Sequence, residues 1–250
     1  MLILLPPSQA KRDGGVDGVA LDLGELGWPS LTPPREAVLS RLRRLARNAS
    51  AMAAALRLGP TQQAELIRNR TLTLSAVMPA MARYTGVLYD ALAIETLSDA
   101  ARAFAVDHLV IHSALFGLLR AADPIPAYRL SHDSRLPGLP LRKVWSLPIS
   151  AVLADYPGLI LDARSEAYVA LGPAPTGSIS LRLMAEGPDG RTRALNHFNK
   201  KGKGEFVRAL LESAIDQEDV AGLLSWADGA GFRLAPGVPG ELELSVGMVG

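Results

Sequence analysis

Three short unbroken apolar runs, Leu2-Ile3-Leu4-Leu5, Leu109-Val110-Ile111 and Leu159-Ile160-Leu161, constrain this chain more than anything else in it. Continuous apolar runs of this length, without polar alternation, read as strands buried on both faces. Between them lies helical patterning. Thr32 and Pro33 open an amphipathic helix in which Val38, Leu42, Leu45, Ala49, Met52 and Leu56 recur at three- and four-residue steps, up to Gly59-Pro60. Thr61 starts a second helix to about Arg70. Further helices are expected over Val87–Ala93 and from Ser98 to about Val106, and a short one over Ser113–Arg120. Leu141–Ala154 is helical in pattern, with Pro148 expected to break or kink it.

Toward the end the period changes. Ser178–Ala185 and Thr192–Phe198 alternate as strands joined through Gly187-Pro188-Asp189-Gly190, which reads as a β-hairpin. A helix from about Gly204 to Ala214, another over Asp219–Trp226, and strands at Phe232–Leu234 and Glu241–Val246 complete the chain. Crossover and hairpin connections together predict an α+β (mixed α/β) fold. Its sheet is mixed and partly antiparallel, helices surround it, and residues 1–250 form a single domain.

The chain has no cysteine, which excludes disulfides, Cys-based metal sites and a Cys nucleophile and suits a cytoplasmic protein. Met1–Leu5 stops at Pro6-Pro7 without a basic stretch before it, so it does not read as a signal peptide. No apolar run reaches the roughly 18 residues of a membrane helix, and no membrane partner is expected. A monomer is favoured.

Net charge is +1, but it is unevenly spread. Arg35 to Arg70 carries eight arginines against Glu36 and Glu65, a local +6. Arg191 to Arg208 carries a local +5, and from Ala209 onward seven acids face only Arg233. The helix bearing Arg41, Arg43, Arg44 and Arg47 reads first as a solvated face, with polyanion binding as the second reading. Of the 26 basic residues only five are lysine, Lys11, Lys143, Lys200, Lys201 and Lys203, and three of these fall within four positions. An ammonium kept where arginine is otherwise preferred suggests a site that needs one.

Four constellations could carry chemistry. Ser8 and Lys11 follow the first strand, where α/β sheets bind ligands, and a hydroxyl and an ammonium there suit a phosphate or carboxylate. Arg83-Tyr84-Thr85-Gly86-Val87-Leu88-Tyr89 holds two of the five tyrosines beside a glycine that frees the backbone; paired buried hydroxyls are the competing reading. Asp162-Ala163-Arg164-Ser165 ends the third apolar strand: Asp162 could act as a base or ligand, and Ser165 equally as a helix cap. His197-Phe198-Asn199-Lys200-Lys201-Gly202-Lys203-Gly204 enters a helix with free N–H groups and three ammonium groups, a natural phosphate contact. His108 and His112, four apart, read as structural, and no metal site is expected.

At these places the chain resembles the YaaA peroxide-stress family, in its actinobacterial-type branch. The resemblance rests on Leu5-Pro6-Pro7-Ser8-Gln9-Ala10-Lys11 and Arg83-Tyr84-Thr85-Gly86-Val87-Leu88-Tyr89. It continues through Ser113 to Arg120 with Asp123 and Ala127-Tyr128-Arg129-Leu130, Asp162-Ala163-Arg164-Ser165 with Tyr168, and His197-Phe198-Asn199-Lys200 with Lys203-Gly204. It implies a fold of the family's own, protection from peroxide, limitation of free iron, and DNA binding in a basic cleft, without an established catalysis. Carried over, Ser8, Lys11, Arg120, Arg129, Lys200 and Lys203 are the expected nucleic-acid or anion contacts, and the lysine cluster adds Lys201 to them. Tyr84, Gly86, Tyr89, Ser113, Asp123, Tyr128 and Ser165 are expected to line the cleft. Asp162 and His197 would be acid or base if the protein were instead an enzyme on a nucleotide, a damaged base or a phosphorylated small molecule. No cofactor is implied. Gln9 and Ala10 stand where the family usually has an acid and a glycine, which removes one candidate ligand from the first loop.

Overall fold

The first apolar run, Leu2–Leu5, forms strand β1, buried at every residue. The computed structural model to which it belongs describes residues 1–59, 62, 64–186, 192–194 and 199–246. Helices α1 (Thr32–Leu45), α2 (Ala49–Leu56) and α3 (Ala64–Thr71) follow. Next come the two-residue strand β2 (Met78–Pro79) and the short helices α4 (Ala80–Arg83) and α5 (Val87–Leu92). Helix α6 (Asp99–His108) runs into β3 (Leu109–Ser113), which turns back as β4 (Gly117–Arg120) and leads to β5 (Pro124–Ile125). After α7 (Leu141–Ala154) come β6 (Ile160–Asp162), α8 (Glu166–Val169), β7 (Ile179–Glu186) and β8 (Thr192–Ala194). The chain then forms α9 (Asn199–Ser213), α10 (Val220–Gly229), β9 (Arg233–Pro236) and β10 (Glu241–Val246).

The main sheet has the order β4-β3-β1-β6-β7-β10-β9, with β8 paired to β7. From β3 to β10 neighbouring strands are parallel, while β4, β8 and β9 join antiparallel. The mixed α/β architecture follows the sequence. β1 sits between β3 and β6, so the strand order reverses around it, and the carboxyl ends of these three strands meet at the crevice such a reversal creates. Buried apolar side chains form one continuous cluster from Met1 to Leu244.

Several expectations are corrected. The single helix from Thr32 to Gly59 is two, because Asn48 turns the chain and its side chain accepts a hydrogen bond from Ala51 N, capping α2. Ser113–Arg120 is a tight hairpin between β3 and β4 rather than a helix. Ser113 Oγ accepts from the N–H groups of Leu115 and Phe116. Gly117 takes φ +68°, where a Cβ would lie 2.7 Å from the Trp145 ring. Pro148 leaves α7 unbroken. An interior proline costs about 3 kcal/mol, but Trp145, Ile149 and Leu153 are fully buried on one face across it, each worth about 1.5–3 kcal/mol. Helix α9 starts at Asn199, not Gly204, so its glycines lie inside the helix. Gly204 is there for packing: a Cβ would stand 2.3 Å from Leu88 O of α5. Thr61, the hairpin turn and His197 lie outside the described residues.

Two arginines are inside. Arg35 is fully buried and donates to the carbonyls of Phe116, Leu118 and Gly27 at 2.8, 2.8 and 2.7 Å. Arg83 likewise donates to Ile125 O, Ala76 O and Arg12 O. Burial lowers both guanidiniums to about 10, with Asp123 partly restoring Arg35.

Candidate functional site

Lys11 lies just past the carboxyl end of β1, bridged to Tyr84 and only 6% exposed. Its ammonium donates to Ser8 O at 2.9 Å and Gln9 O at 3.3 Å, and sits 4.1 Å from the centre of the Tyr128 ring and 5.2 Å from that of Tyr84. Carbonyls and aromatic faces hold an ammonium without neutralising it. Burial, then the nearby Arg129 guanidinium, brings Lys11 down to about 7, with Glu65 partly opposing. Arg129 donates to Gln9 Oε1 at 2.8 Å, so Gln9 bridges the two cations.

Behind Lys11 runs a chain of hydroxyls. Ser113 Oγ, already accepting two backbone N–H groups, is 2.6 Å from Tyr128 OH, which is 2.8 Å from Tyr84 OH. Its acceptor positions filled, Ser113 donates to Tyr128 and Tyr128 to Tyr84. Tyr89 packs against Tyr84 and donates to Pro6 O at 2.8 Å. Burial pushes the phenols of Tyr84, Tyr89, Tyr128 and Tyr168 well up, so all stay protonated. Gly86, at φ +98°, starts α5 where a Cβ would meet Ser8 Oγ at 3.2 Å. A cavity of about 180 Å³ opens beside Tyr84, Thr85 and Tyr89.

The neighbouring strand end is a second polar knot. Asp162, at the end of β6, accepts from Arg164 Nη2 and Nε at 2.6 and 2.8 Å, both residues buried. Arg164 Nη1 donates to His112 Nδ1 at 2.9 Å. A guanidinium only donates, so the imidazole carries its proton on Nε2, which has no partner among the described residues. Burial and Arg164 hold His112 well below its usual value. Lys203 reaches in from α9 to donate to Ala163 O at 3.0 Å, lowered to about 8 by burial.

Ser8, Lys11, Tyr84, Gly86, Tyr89, Ser113, Tyr128 and Arg129 therefore gather around the ends of β1 and β3, with Asp162 and Lys203 at the adjoining end of β6. Ser165 is exposed at the start of α8, without a side-chain cap bond. Lys200 and Lys201 are exposed on α9, where Lys201 pairs with Glu205 at 3.6 Å. Arg120 and Asp123 are elsewhere: Arg120 pairs with Val110, at the far end of β3 from Ser113. Asp123 there accepts from Gly27 N and Arg120 N, and Arg120 stacks 5.3 Å over Trp28. His108 binds Met1 O, apart from His112. The reading of the sequence left His112, Arg164 and Gln9 out of the site. Arg164, two residues beyond a strand-end acid, was the one with a local signal.

These features define a mixed α/β protein with a tyrosine-walled, cation-rich polar cluster at a strand-order reversal. The model of peroxide stress protein YaaA matches residues 1–237. A UPF0246 protein of Corynebacterium efficiens is 41% identical over 239 residues, 94% of each chain. One from Streptomyces coelicolor is 37% identical over 249 residues, covering 96% of this chain and 94% of its own. The chain belongs to the YaaA peroxide stress protein family. Among the described residues no helix is long and apolar enough to cross a membrane.

Proposed function

We propose that this peroxide-stress protein acts in the cytoplasm by binding DNA through its phosphates, without reading sequence, and so limits oxidative damage. The observation that carries the reading is the first turn of α9. Lys200 and Lys201 stand exposed there, one turn from Lys203, which tethers the helix to the strand ends. Exposed ammonium groups in the first turn of a helix bind phosphate oxygens and carry no base information. Limitation of free iron enters only as an expectation of the family.

The test is a titration of duplex DNA at several salt concentrations with wild type and a Lys200→Ala/Lys201→Ala variant. Every ammonium that neutralises a phosphate in the wild type should, once removed, lower the slope of log affinity against log salt by about 0.9. Equal affinity and equal slope would remove the reading.

A second reading is favoured by one observation, the Lys11 ammonium beside Arg129 with no carboxylate hydrogen-bonded to it among the described residues. In this reading the protein is an enzyme whose strand-end cluster takes a nucleotide, a damaged base or a phosphorylated small molecule. Lys11 near neutrality is matched to proton transfer at physiological pH. Both oxygens of Asp162 are engaged by Arg164, which leaves neither free to meet a substrate. Turnover in a screen of nucleotides and damaged nucleosides, abolished by Lys11→Met, would favour it; absence of turnover across the screen would count against it.

A further inference from the structure

The excess positive charge between Arg35 and Arg70 is not evenly used. Arg35 is buried on carbonyls, Arg57 pairs with Asp133 at 3.3 Å, and Arg68 pairs with Asp13 and Glu65 at 2.8 and 2.9 Å. Arg41, Arg43, Arg44, Arg47 and Arg70 remain, and among the described residues none of them forms an ion pair. Four of these five line one open groove of about 700 Å³ between α1 and α3, with Ser40 and a single acid, Glu36. Arg43, Arg44 and Arg47 come from the carboxyl end of α1 and just beyond it. Arg70 comes from α3, fixed by a bond from its Nε to Ala46 O at 3.1 Å. Arg44 also lines an adjoining hollow of about 220 Å³, shared with Arg41 and Asn48. The guanidiniums thus form a strip longer than one anion.

The simplest alternative is that cations at the end of α1 complement its dipole. That effect fades within the last turn. Arg70 stands likewise in the last turn of α3, but the dipoles leave unexplained Arg47, beyond the end of α1, and the convergence of arginines from two helices on one groove. Four like charges around one groove repel one another, and a multivalent anion relieves that repulsion. Guanidiniums present paired donors that match phosphate oxygens.

We propose that this arginine groove is a binding site for an extended phosphate polyanion, separate from the lysines of α9. Helix α1 packs on the turns at 23–31 and on α2, α3 and α7, whereas α9 packs on α5, α6 and β7. The groove stands on its own geometry and does not rest on the reading of the lysines. The same chemistry has two sources, a nucleic-acid backbone and inorganic polyphosphate.

The experiment uses the full chain with fluorescein-labelled single-stranded and duplex oligonucleotides, and with inorganic polyphosphate as both direct ligand and competitor. Arg43→Ala/Arg47→Ala/Arg70→Ala is compared with wild type, with Arg43→Lys/Arg47→Lys/Arg70→Lys, and with Lys200→Ala/Lys201→Ala. All three arginines are exposed, so the variants should fold, which their thermal midpoints check. The alanine variant should lose two to three units of salt slope, at about 0.9 per phosphate on duplex DNA. The lysine variant should keep most of the slope. Loss for oligonucleotides identifies a nucleic-acid backbone as the source. Loss for polyphosphate alone identifies the free polymer. The proposal is overturned if wild type binds neither probe at low salt, or if the alanine variant binds both with unchanged affinity and slope. Should only the α9 variant lose binding, the groove is refuted and the reading of the α9 lysines survives; should only the groove variant lose it, the groove stands and the α9 lysines are not the contacts.

Discussion

Lys11 offers the sharpest test of the strand-end cluster, because its burial makes a statement about stability. In the unfolded chain its amine titrates near 10.5; in the folded protein it titrates at about 7. Below pH 7 the amine is charged in both states and the fold bears the whole cost of burying it. Between pH 7 and 10.5 the unfolded chain binds more protons than the native one, so this lysine makes stability rise with pH. At about 1.4 kcal/mol per pH unit, the rise between pH 7 and 9.5 is about 3 kcal/mol. The comparison protein is Lys11→Met, which fills similar space and does not ionise. It leaves Ser8 O and Gln9 O without the ammonium, an offset that does not vary with pH. Lys203 and the buried tyrosines act alike in both proteins and cancel. Urea unfolding of both, at half-unit steps from pH 6.5 to 9.5, gives the difference directly. Wild type should gain on the variant across this window with a slope approaching one proton. Curves that stay parallel to within about 0.5 kcal/mol would show that Lys11 is not desolvated as described.

Other consequences are simpler. Gly204→Ala places a methyl 2.3 Å from Leu88 O, forcing α5 and α9 apart; a loss of about 1–3 kcal/mol is expected in chemical unfolding. Asp162→Asn strips the charge partner from a buried Arg164 and should cost about 3–5 kcal/mol, while Asp162→Asn with Arg164→Met should recover part of it in the same measurement. Gly117→Ala combines a positive φ with a Cβ 2.7 Å from Trp145. It should lower the thermal midpoint and perturb tryptophan fluorescence, whereas Gly177→Ala, also at positive φ but with open space around it, should leave the fluorescence unchanged.

What was legible in the sequence was what local chemistry decides. The apolar runs at Leu2, Leu109 and Leu159 lie in parallel strands because burial on both faces removes alternation. Ser98 and Asp219 cap α6 and α10 through their own side chains. What was not legible depended on distant partners. The Ser113–Arg120 segment has an apolar pattern that suits a helix, and only Trp145, pressed against Gly117, and Tyr128, bonded to Ser113, make it a hairpin. Nothing local marks Arg35 and Arg83 as buried; carbonyls of Phe116, Leu118 and Ile125, all distant in sequence, take them inside. At the site, residue types were readable as a resemblance, but geometry divided them. Arg120 and Asp123 occupy the other end of β3, because β4 runs antiparallel and carries them away from Ser113.

The strand-end cluster leads to one more expectation. Among the described residues it holds Lys11, Arg129, Arg164 and Lys203 against Asp162, which Arg164 already occupies, and the nearby Glu65, which Arg68 occupies. Dipoles and ring faces keep the other cations in place without cancelling their charge, so the fold carries a desolvation cost that an incoming anion would offset. An anion within about 4–6 Å of Lys11 favours its charged form and raises it from about 7. At pH 8 the free amine is mostly neutral, so binding must draw a proton from solvent. Phosphodiesters do not titrate near pH 8, so an oligonucleotide adds no proton of its own. Calorimetric titrations with the same oligonucleotide in Tris and in HEPES at pH 8 should give heats that differ in proportion to a sizeable fraction of a proton taken up. The difference should vanish at pH 5.5, where Lys11 is already charged, and in Lys11→Met. Identical heats in the two buffers at pH 8 would mean that the bound phosphate never approaches Lys11, leaving the buried cluster to structure and the exposed cations to binding.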